Sequence, residues 1–189
     1  MTFAAMMALA LLIDAAIGWP ERLFRAIGHP VTWIGAVIAA CDHRWNEPGT
    51  ARRVRGVAVL ALVAGLAGGV SLGVQLLLPD GWIGIVLGGI LAWPLVAARS
   101  MYDHVAAVAR PLQAQDLAAA RLAVSQIVGR DPTQLDSAGV SRAALESLGE
   151  NTSDGIVAPL FWGVVAGLPG IALYKAINTL DSMIGHKTL

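Results

Sequence analysis

Four long apolar stretches alternate with polar segments along the chain and predict helices that cross a membrane. They cover residues 3–19, 56–78, 82–98 and 156–173. The second stretch contains no charged side chain and, at about 1.5 Å per residue, is long enough to cross a hydrocarbon core of about 30 Å. Only residues 79–81 separate it from the third, which predicts a tight antiparallel hairpin. The fourth contains Pro159 and Pro169, and the sequence leaves open whether it crosses the membrane or turns back.

The polar segments between these stretches carry the cations and predict the orientation. Residues 20–55 and 99–155 hold most of the arginines, whereas the turn at 79–81 holds none. Because Lys and Arg concentrate on the cytoplasmic side of membrane proteins, both segments are predicted to be cytoplasmic, with the N-terminus and the turn outside. Within 99–155, apolar residues recur at helical spacing, which predicts further helices. The predicted fold class is all-α: a multi-pass transmembrane helical bundle with a cytoplasmic helical loop, in a single membrane domain over residues 1–189.

The amino-acid composition also favours a membrane protein. Hydrophobic residues make up 56% and charged residues 14% of the 189 positions, whereas soluble domains carry about 25% charged residues. We therefore expect membrane lipid as a partner. The net charge of zero provides no basic surface field of the kind that attracts nucleic acid, so we expect no nucleic acid as a partner. The single Cys41 excludes a disulfide within the chain. No Lys or Arg precedes the first apolar stretch, which predicts a retained helix rather than a cleaved signal peptide, in the cytoplasmic (inner) membrane.

Two polar clusters at the edges of the apolar stretches allow more than one interpretation. Residues 28–35, which include His29 followed by proline, form either a common turn or part of a site. Asp103 and His104 lie one helical turn after Arg99. They provide either groups for acid–base chemistry or metal binding, or an interfacial salt bridge.

Two further clusters contain the residue types that bind phosphates and hard cations. Arg130 and Asp131 lie in a Gly-Arg-Asp-Pro segment, which either offers a cation to phosphate and a carboxylate to Mg²⁺ or forms a solvated turn. Residues 146–155 are the densest cluster, with three carboxylates and three small polar side chains before an apolar helix. One capping residue suffices to start a helix, so this surplus indicates a site in which Glu150 and Asp154 hold a cation that bridges phosphates.

A related pattern follows the fourth apolar stretch. Asn178, Asp181 and Ser182 are three to four residues apart and share one helical face. Ionisable residues beside membrane helices are costly unless they are paired or hydrated, so they indicate a functional site. For this face to meet residues 146–155 on the cytoplasmic side, residues 156–173 must form a re-entrant hairpin.

Four blocks of the sequence together resemble the adenosylcobinamide-phosphate synthase family, the CobD/CbiB proteins of cobalamin biosynthesis. The blocks are residues 28–35 (GHPVTWIG), 127–131 (IVGRD), 146–162 (ESLGENTSDGIVAPLFW) and 178–187 (NTLDSMIGHK). The resemblance implies a multi-pass membrane enzyme that joins adenosylcobyric acid, a corrinoid, to (R)-1-aminopropan-2-yl phosphate through an amide bond. It also implies that ATP and Mg²⁺ are required and that other enzymes of the cobalamin pathway are expected partners. Which corrin intermediate is used, whether the amine is phosphorylated, and the oligomeric state stay open.

This resemblance suggests roles for residues in the polar clusters. The expected metal ligands are the carboxylates Glu150, Asp154 and Asp181. The expected phosphate- and substrate-binding residues are Arg130, Lys187, Asn151, Thr152 and Asn178. The expected catalytic residues are His186, His104 and Asp103, with either histidine accepting the proton of the attacking amine because histidine titrates near neutrality.

The chain is shorter than members of that family, and we expect the match to continue beyond Lys187. We therefore expect a C-terminally truncated chain, whose activity alone stays open. Two other interpretations remain from the residues: a non-catalytic membrane signalling protein resembling the AmpE type linked to β-lactamase regulation, and a transporter whose proline-broken helices line a pathway. The density of carboxylates and amides argues against the first. The clustering of polar residues near one face, with no inverted repeat, argues against the second.

Overall fold

The regular secondary structure of this protein is entirely helical. The structure, a computed structural model, describes residues 2–46, 52–129 and 131–185, without the side chain of Arg52, and contains no strand in those ranges. The all-α prediction is therefore confirmed. Nine α-helices follow one another in these ranges: α1 (Phe3–Ile17), α2 (Glu21–Ile27), α3 (Pro30–Trp45), α4 (Arg52–Leu77), α5 (Trp82–Ala92), α6 (Ala98–Gln113), α7 (Leu117–Val124), α8 (Ser137–Thr152) and α9 (Ala158–Leu180). A 3₁₀ turn covers Trp93–Leu95, and π-helical turns cover Ser153–Val157 and Asp181–Gly185.

Three helical runs are long and apolar enough to cross a membrane. They are Arg53–Leu77, Trp82–Gln113 and Ser137–Gly185. The pair α1 and α2, bent by 112°, makes a fourth candidate if it is counted as one span. α4 contains nearly all of the predicted 56–78 stretch, and α1 alone, at 15 residues, is only about 22 Å long. The length and apolar composition of these three to four helical runs fit a helical membrane protein.

The last of these runs folds back on itself at Gly167. The side chains of Tyr174 and Asn178 both donate hydrogen bonds to the carboxylate of Asp154, at 3.1 and 3.0 Å. In a straight helix, residues 154 and 178 are about 36 Å apart. We call residues 153–185 the α9 hairpin. Of the two alternatives left open by the sequence, the structure therefore shows the one in which this segment turns back.

The tip of the α9 hairpin is built from glycine, proline and a side chain of α4. Gly167 has φ +69° and ψ −144°, a conformation that only glycine adopts readily. Pro169 lacks a backbone N–H, and the N–H of Leu168 donates instead to the side-chain oxygen of Gln75, at 2.7 Å. An unpaired backbone group is costly in a membrane, so Gln75 stabilises the broken backbone. A Cβ at Gly167 would also meet Phe3, so the start of α1, the end of α4 and the tip lie together.

Three buried apolar clusters hold the helices together. The first joins α1 and α5 to the α9 hairpin: Met6, Met7, Ala10, Ala92, Leu95, Val96, Leu168 and Ile171. The second joins α3 and α4 to the α9 hairpin: Ile38, Cys41, Val59, Val63, Ala176 and Leu180. The third joins α6, α7 and α8: Val108, Ala120, Val124, Val140, Ala143 and Ala144. Most of α3, within the segment predicted to be cytoplasmic, is thus packed along α4, and the helices of residues 99–155 have a core of their own.

Candidate functional site

Asp154 connects the two arms of the α9 hairpin. It lies in the π-helical turn that continues α8, and its carboxylate accepts the hydrogen bonds of Tyr174 and Asn178 from the returning arm. Two of the four blocks of the sequence, residues 146–162 and 178–187, therefore meet at this carboxylate. π-Helical turns occur frequently at functional sites.

Lys175 adds a positive charge beside this contact. Its ammonium group donates to the backbone carbonyl of Asp154 at 3.5 Å, and its side chain is half-buried. Among the described residues, no carboxylate forms an ion pair with it. An ammonium has three N–H donors, so at least two remain available to a ligand.

The position of Lys175 is level with the middle of α4. Leu173, two residues before it, lies where a Cβ on Gly68 would touch its side chain. Ala176, directly after it, shares a buried cluster with Val63. Lys175 is thus at the depth of the most apolar predicted span, although no residue of α4 lines its two cavities. A functional role is the first interpretation of an ionisable residue at such a depth.

Two cavities meet at Lys175. The larger has a volume of about 670 Å³ and the smaller about 480 Å³. Both are lined by Ala97, Ser100, His104 and Lys175. The larger cavity also has the following lining residues: Asp14, Trp19, Phe24, His29, Arg99 and Asp103. The smaller cavity also has these: Gln126, Val128, Asn151, Asp154 and Asn178. The site therefore has one compartment with aromatic and mixed charged groups and a second rich in amides.

The N-terminus of α6 is fixed between the two cavities by backbone and carboxylate contacts. The N–H of Ala97 donates to the carbonyl of Gly155 at 3.0 Å, which ties α6 to the α9 hairpin. Asp14 of α1 is buried and accepts from the N–H of Arg99 at 3.0 Å, so it caps α6 from another helix. A carboxylate is also favourable at the positive end of a helix dipole. Asp14, which interrupts the first apolar stretch, thus holds the helix that presents His104.

Comparison with known protein families identifies the family of this chain. The family model described as CobD/Cbib protein matches residues 7–189. The chain belongs to the CobD/CbiB family. It is 68% identical to the "Cobalamin biosynthesis protein CobD" of Rhodobacter capsulatus over its whole length, which is 60% of that relative. Proteins with the same name from Sinorhizobium sp and Brucella suis biovar 1 are each 45% identical, over 99% and 95% of this chain and 59% and 56% of theirs. The chain thus spans about 60% of the length of these relatives, and no solved structure matches it.

In this CobD/CbiB chain, Asp103 and His104 have different partners. Asp103 forms a salt bridge with Arg99 at 3.0 Å, with both side chains largely exposed. The Nδ1 atom of His104 lies 2.7 Å from the carbonyl oxygen of Ser100. Because a carbonyl oxygen only accepts, Nδ1 is the donor in this contact, and Nε2 is the ring nitrogen that remains for other contacts. Asp103 therefore has the salt bridge named as one of its alternatives, and His104 is held to the Ser100 carbonyl through Nδ1.

The predicted amide and hydroxyl residues of α8 lie on different surfaces. Asn151 lines the smaller cavity, and its side-chain amide donates to the carbonyl oxygen of Ser147 at 2.8 Å. Ser147 in turn donates to the carbonyl of Ile127 at 2.7 Å, which fixes this end of α8 against the segment after α7. Thr152 is half-buried at the end of α8 and does not line either cavity. Of the predicted amide and hydroxyl residues, the one that contacts Asp154 is Asn178, which lies in α9.

The three carboxylates predicted to share a metal are not gathered at one point. Across the described ranges, no group of three His, Cys, Asp or Glu side chains is placed to hold an ion. Glu150 is exposed and lines a separate cavity of about 260 Å³ with Val128 and Gly129, and Asp181 is exposed. Mg²⁺, however, is commonly held by one or two carboxylates together with phosphate oxygens and water. Asp154, whose two oxygens keep further lone pairs, fits that role, and the three-carboxylate ligand set stays a prediction.

Three predicted residues, Arg130, His186 and Lys187, lie outside the described residues. Asp131, next to the first of them, accepts hydrogen bonds from the N–H and hydroxyl of Thr133, each at 2.9 Å. These bonds lower the pKa of the Asp131 carboxyl, which is fully exposed. This pattern is typical of a solvated turn, one of the two interpretations of that segment.

The most informative residue that sequence reasoning missed is Lys175. The signal was present, because a lysine in the apolar run IALYKAI is costly unless a partner or cavity receives it. Tyr174 and Asp14 were missed as well. Their partners lie 20 and 85 positions away along the chain, a distance over which helical periodicity gives no information.

His29, from the cluster with two interpretations, caps α3 and lines the larger cavity. Its Nδ1 accepts from the N–H of Val31 at 3.2 Å, which requires an unprotonated Nδ1. Burial lowers the pKa of His29, and the positive charge of Lys175 lowers it further. The folded protein therefore favours the neutral imidazole.

We expect this histidine to make the fold less stable in mild acid. A histidine whose folded pKa lies below its unfolded value contributes fully above the unfolded value, and that stability is lost as the pH falls towards the folded pKa. Replacing His29 by Asn, which also caps helices but does not titrate, should reduce the drop in unfolding temperature between about pH 7.5 and pH 5.5. The matched control is His43→Asn on the exposed last turn of α3. An identical pH dependence in His29→Asn and the parent chain would contradict the assignment.

Proposed function

We propose that this chain is the site-bearing part of a membrane enzyme that forms an amide bond in cobalamin biosynthesis. The substrates would be adenosylcobyric acid and (R)-1-aminopropan-2-yl phosphate, with ATP as the activating reagent, at the cytoplasmic face of the inner membrane. The observation that carries the proposal is the contact of Asp154 with Asn178. It unites two blocks of the family at the junction of two cavities that together are large enough for more than one small ligand. The names of the relatives place them in cobalamin biosynthesis.

The chemistry of such a reaction explains the residue types at the site. A carboxylate reacts poorly with an amine, so one of its oxygens first attacks the γ-phosphorus of ATP, and ADP leaves. The amine nitrogen then attacks the carbon of the acyl phosphate, and inorganic phosphate leaves with the bonding electrons. Both steps need positive charge around phosphate oxygens, and the amine must give up a proton.

The described residues can meet these needs at the junction. Nε2 of His104 would accept the proton of the amine, because Nδ1 is held by the Ser100 carbonyl. Asp154, with Glu150 and Asp181 as further candidates, would hold Mg²⁺, which neutralises phosphate charge when bound. Asn178 and Asn151 would orient the phosphate, and Thr152 is the remaining candidate for that role.

The residues outside the described part keep their proposed roles. Arg130 and Lys187 would bind phosphate, and His186 is the alternative base. Other enzymes of the cobalamin pathway are the partners we expect, because a membrane-bound synthase has to receive one corrinoid and release another.

The proposal is tested by restoring the activity to a bacterial strain that lacks its synthase. A full-length form of this protein should restore corrinoid amide formation, and membranes containing it should make adenosylcobinamide phosphate only when both substrates, ATP and Mg²⁺ are present. The 189-residue chain is tested in parallel, with a full-length Asp80→Asn variant, altered at the turn far from the site, as a control. Folded full-length protein that makes no amide product under these conditions would refute the proposal.

A further inference from the structure

We propose that Lys175 binds a phosphoryl group at the junction of the two cavities. This inference rests on the proposed function only for the identity of the phosphorylated substrate. The ligand chemistry itself, a phosphate monoester or a phosphoanhydride oxygen, follows from the geometry. The sequence predicted phosphate binding by Arg130 and Lys187. Lys175 is an additional residue, which contacts the Asp154 carbonyl and belongs to the lining that both cavities share.

The first argument is the unfilled hydrogen-bonding capacity of the ammonium group. Among the described residues, Lys175 has one hydrogen-bond acceptor, the Asp154 carbonyl, at the long distance of 3.5 Å. The carboxylate oxygens of the same residue are instead engaged by Tyr174 and Asn178. Lys175 therefore keeps at least two donors, and a half-buried ammonium with open donors beside a cavity is suited to an anion.

The second argument is the packing that fixes the direction of this side chain. Ala176 is buried, and Tyr174 is held by Asp154, so the backbone on both sides of Lys175 is fixed. Lys175 lines both cavities. Its positive charge lowers the pKa of His29, which lines the larger cavity as well. The ammonium is thus presented to the space where the two ligands would have to meet.

The third argument concerns which anion fits. A phosphoryl group offers several charged oxygens, so it can engage a lysine as a point charge while other oxygens reach further donors. The smaller cavity provides amides at Asn151 and Asn178 and the carboxylate of Asp154, which is compatible with a phosphate bridged by a cation. A carboxylate ligand would have only two oxygens for the same set. The amine substrate and ATP both supply a phosphoryl group.

The test measures phosphate binding to the purified full-length protein in lipid nanodiscs. The probes are inorganic phosphate, (R)-1-aminopropan-2-yl phosphate, and a non-hydrolysable ATP analogue with Mg²⁺. The variants are Lys175→Met, which keeps the length of the side chain, and Lys175→Arg, which keeps the charge. Arg110→Met is the matched control, because it removes one exposed charge on α6 that lines neither cavity.

We expect Lys175→Met to weaken binding of one organic phosphate by about tenfold to a hundredfold, the range for a charged hydrogen bond. Lys175→Arg should retain part of the affinity, and Arg110→Met all of it. If the ATP analogue is the affected probe, Lys175 binds the nucleotide, and if the aminopropanol phosphate is affected, it binds the amine substrate. Equal affinity of all probes for Lys175→Met and the full-length parent protein would overturn the inference, as would failure of that parent protein to bind any probe.

These outcomes separate the inference from the proposed function. If the full-length protein makes the amide and its Lys175→Met variant binds phosphate normally, the proposed function is supported and the inference about Lys175 is wrong. If phosphate binding depends on Lys175 but the protein makes no amide, the inference about Lys175 is supported and the proposed function is wrong.

Discussion

Replacing Asp154 by Asn is expected to lower kcat/KM of the proposed amide-forming reaction in the full-length protein by about a hundredfold or more while leaving the fold intact. The loss follows because the carboxylate is the proposed ligand of a cation that stabilises phosphate charge by several kcal/mol. The fold should survive because Asn keeps one oxygen to accept from Asn178, and its amide group can donate to the Tyr174 hydroxyl, which also accepts. The measurement is amide product formation in membranes.

The Asp154 result is interpreted against two other variants. Asp80→Asn makes the same chemical change in the turn between α4 and α5 and should leave activity unchanged. Glu150→Gln tests the second proposed metal ligand, and unchanged activity in that variant would remove Glu150 from the metal site. Full activity in Asp154→Asn, measured at limiting Mg²⁺, would show that the carboxylate has no part in the reaction.

Replacing Gly167 by Ala is expected to destabilise the folded chain by about 2 to 6 kcal/mol. The φ of +69° with ψ −144° is costly for any residue with a Cβ, by about 1 to 3 kcal/mol. The added methyl group would also overlap the Gln75 side chain, and displacing it leaves the N–H of Leu168 unpaired at a further cost of about 1 to 3 kcal/mol. The unfolding midpoint in detergent should fall by roughly 5 to 20 °C.

Cys41 provides a direct readout of this prediction. It is the chain's single cysteine and is buried against α4 and the α9 hairpin, so a thiol-reactive dye labels it when the bundle opens. The matched control is Gly69→Ala on α4, where an added Cβ meets nothing within 4 Å. That variant should unfold at the parent temperature or slightly higher, because Ala favours helices over Gly. Equal midpoints for Gly167→Ala and the parent chain would show that the tip tolerates a side chain.

The helices could be predicted from sequence because their signals are local. The uncharged run 56–78 predicts α4 by length and hydropathy alone, and Pro79 to Gly81 predict its turn into α5. The direction of the last helical run could not be predicted in the same way. Pro159 and Pro169 both permit a break, but the chain turns at Gly167, where Gln75 from a distant helix satisfies the opened backbone.

The candidate site was predictable in part for the same physical reason. The density of polar residues around Glu150 and Asp154 is a local signal, and the structure brings one of these residues, Asp154, into contact with Asn178. The role of Lys175 depends on what surrounds its ammonium group. That environment is created by the fold-back of the hairpin and the cap that Asp14 provides to α6, both of which are contacts between distant parts of the chain.

The contacts at the hairpin tip also constrain how the protein is assembled during its synthesis. Phe3 and Gln75, which meet the tip, leave the ribosome well before Gly167 does. Because an unpaired backbone N–H is costly in lipid, we expect the opened backbone at Leu168 to be stable in the bilayer only with Gln75 in place. We therefore expect the junction of Asp154 and Lys175 to form after the helices that precede it in the chain have been synthesised.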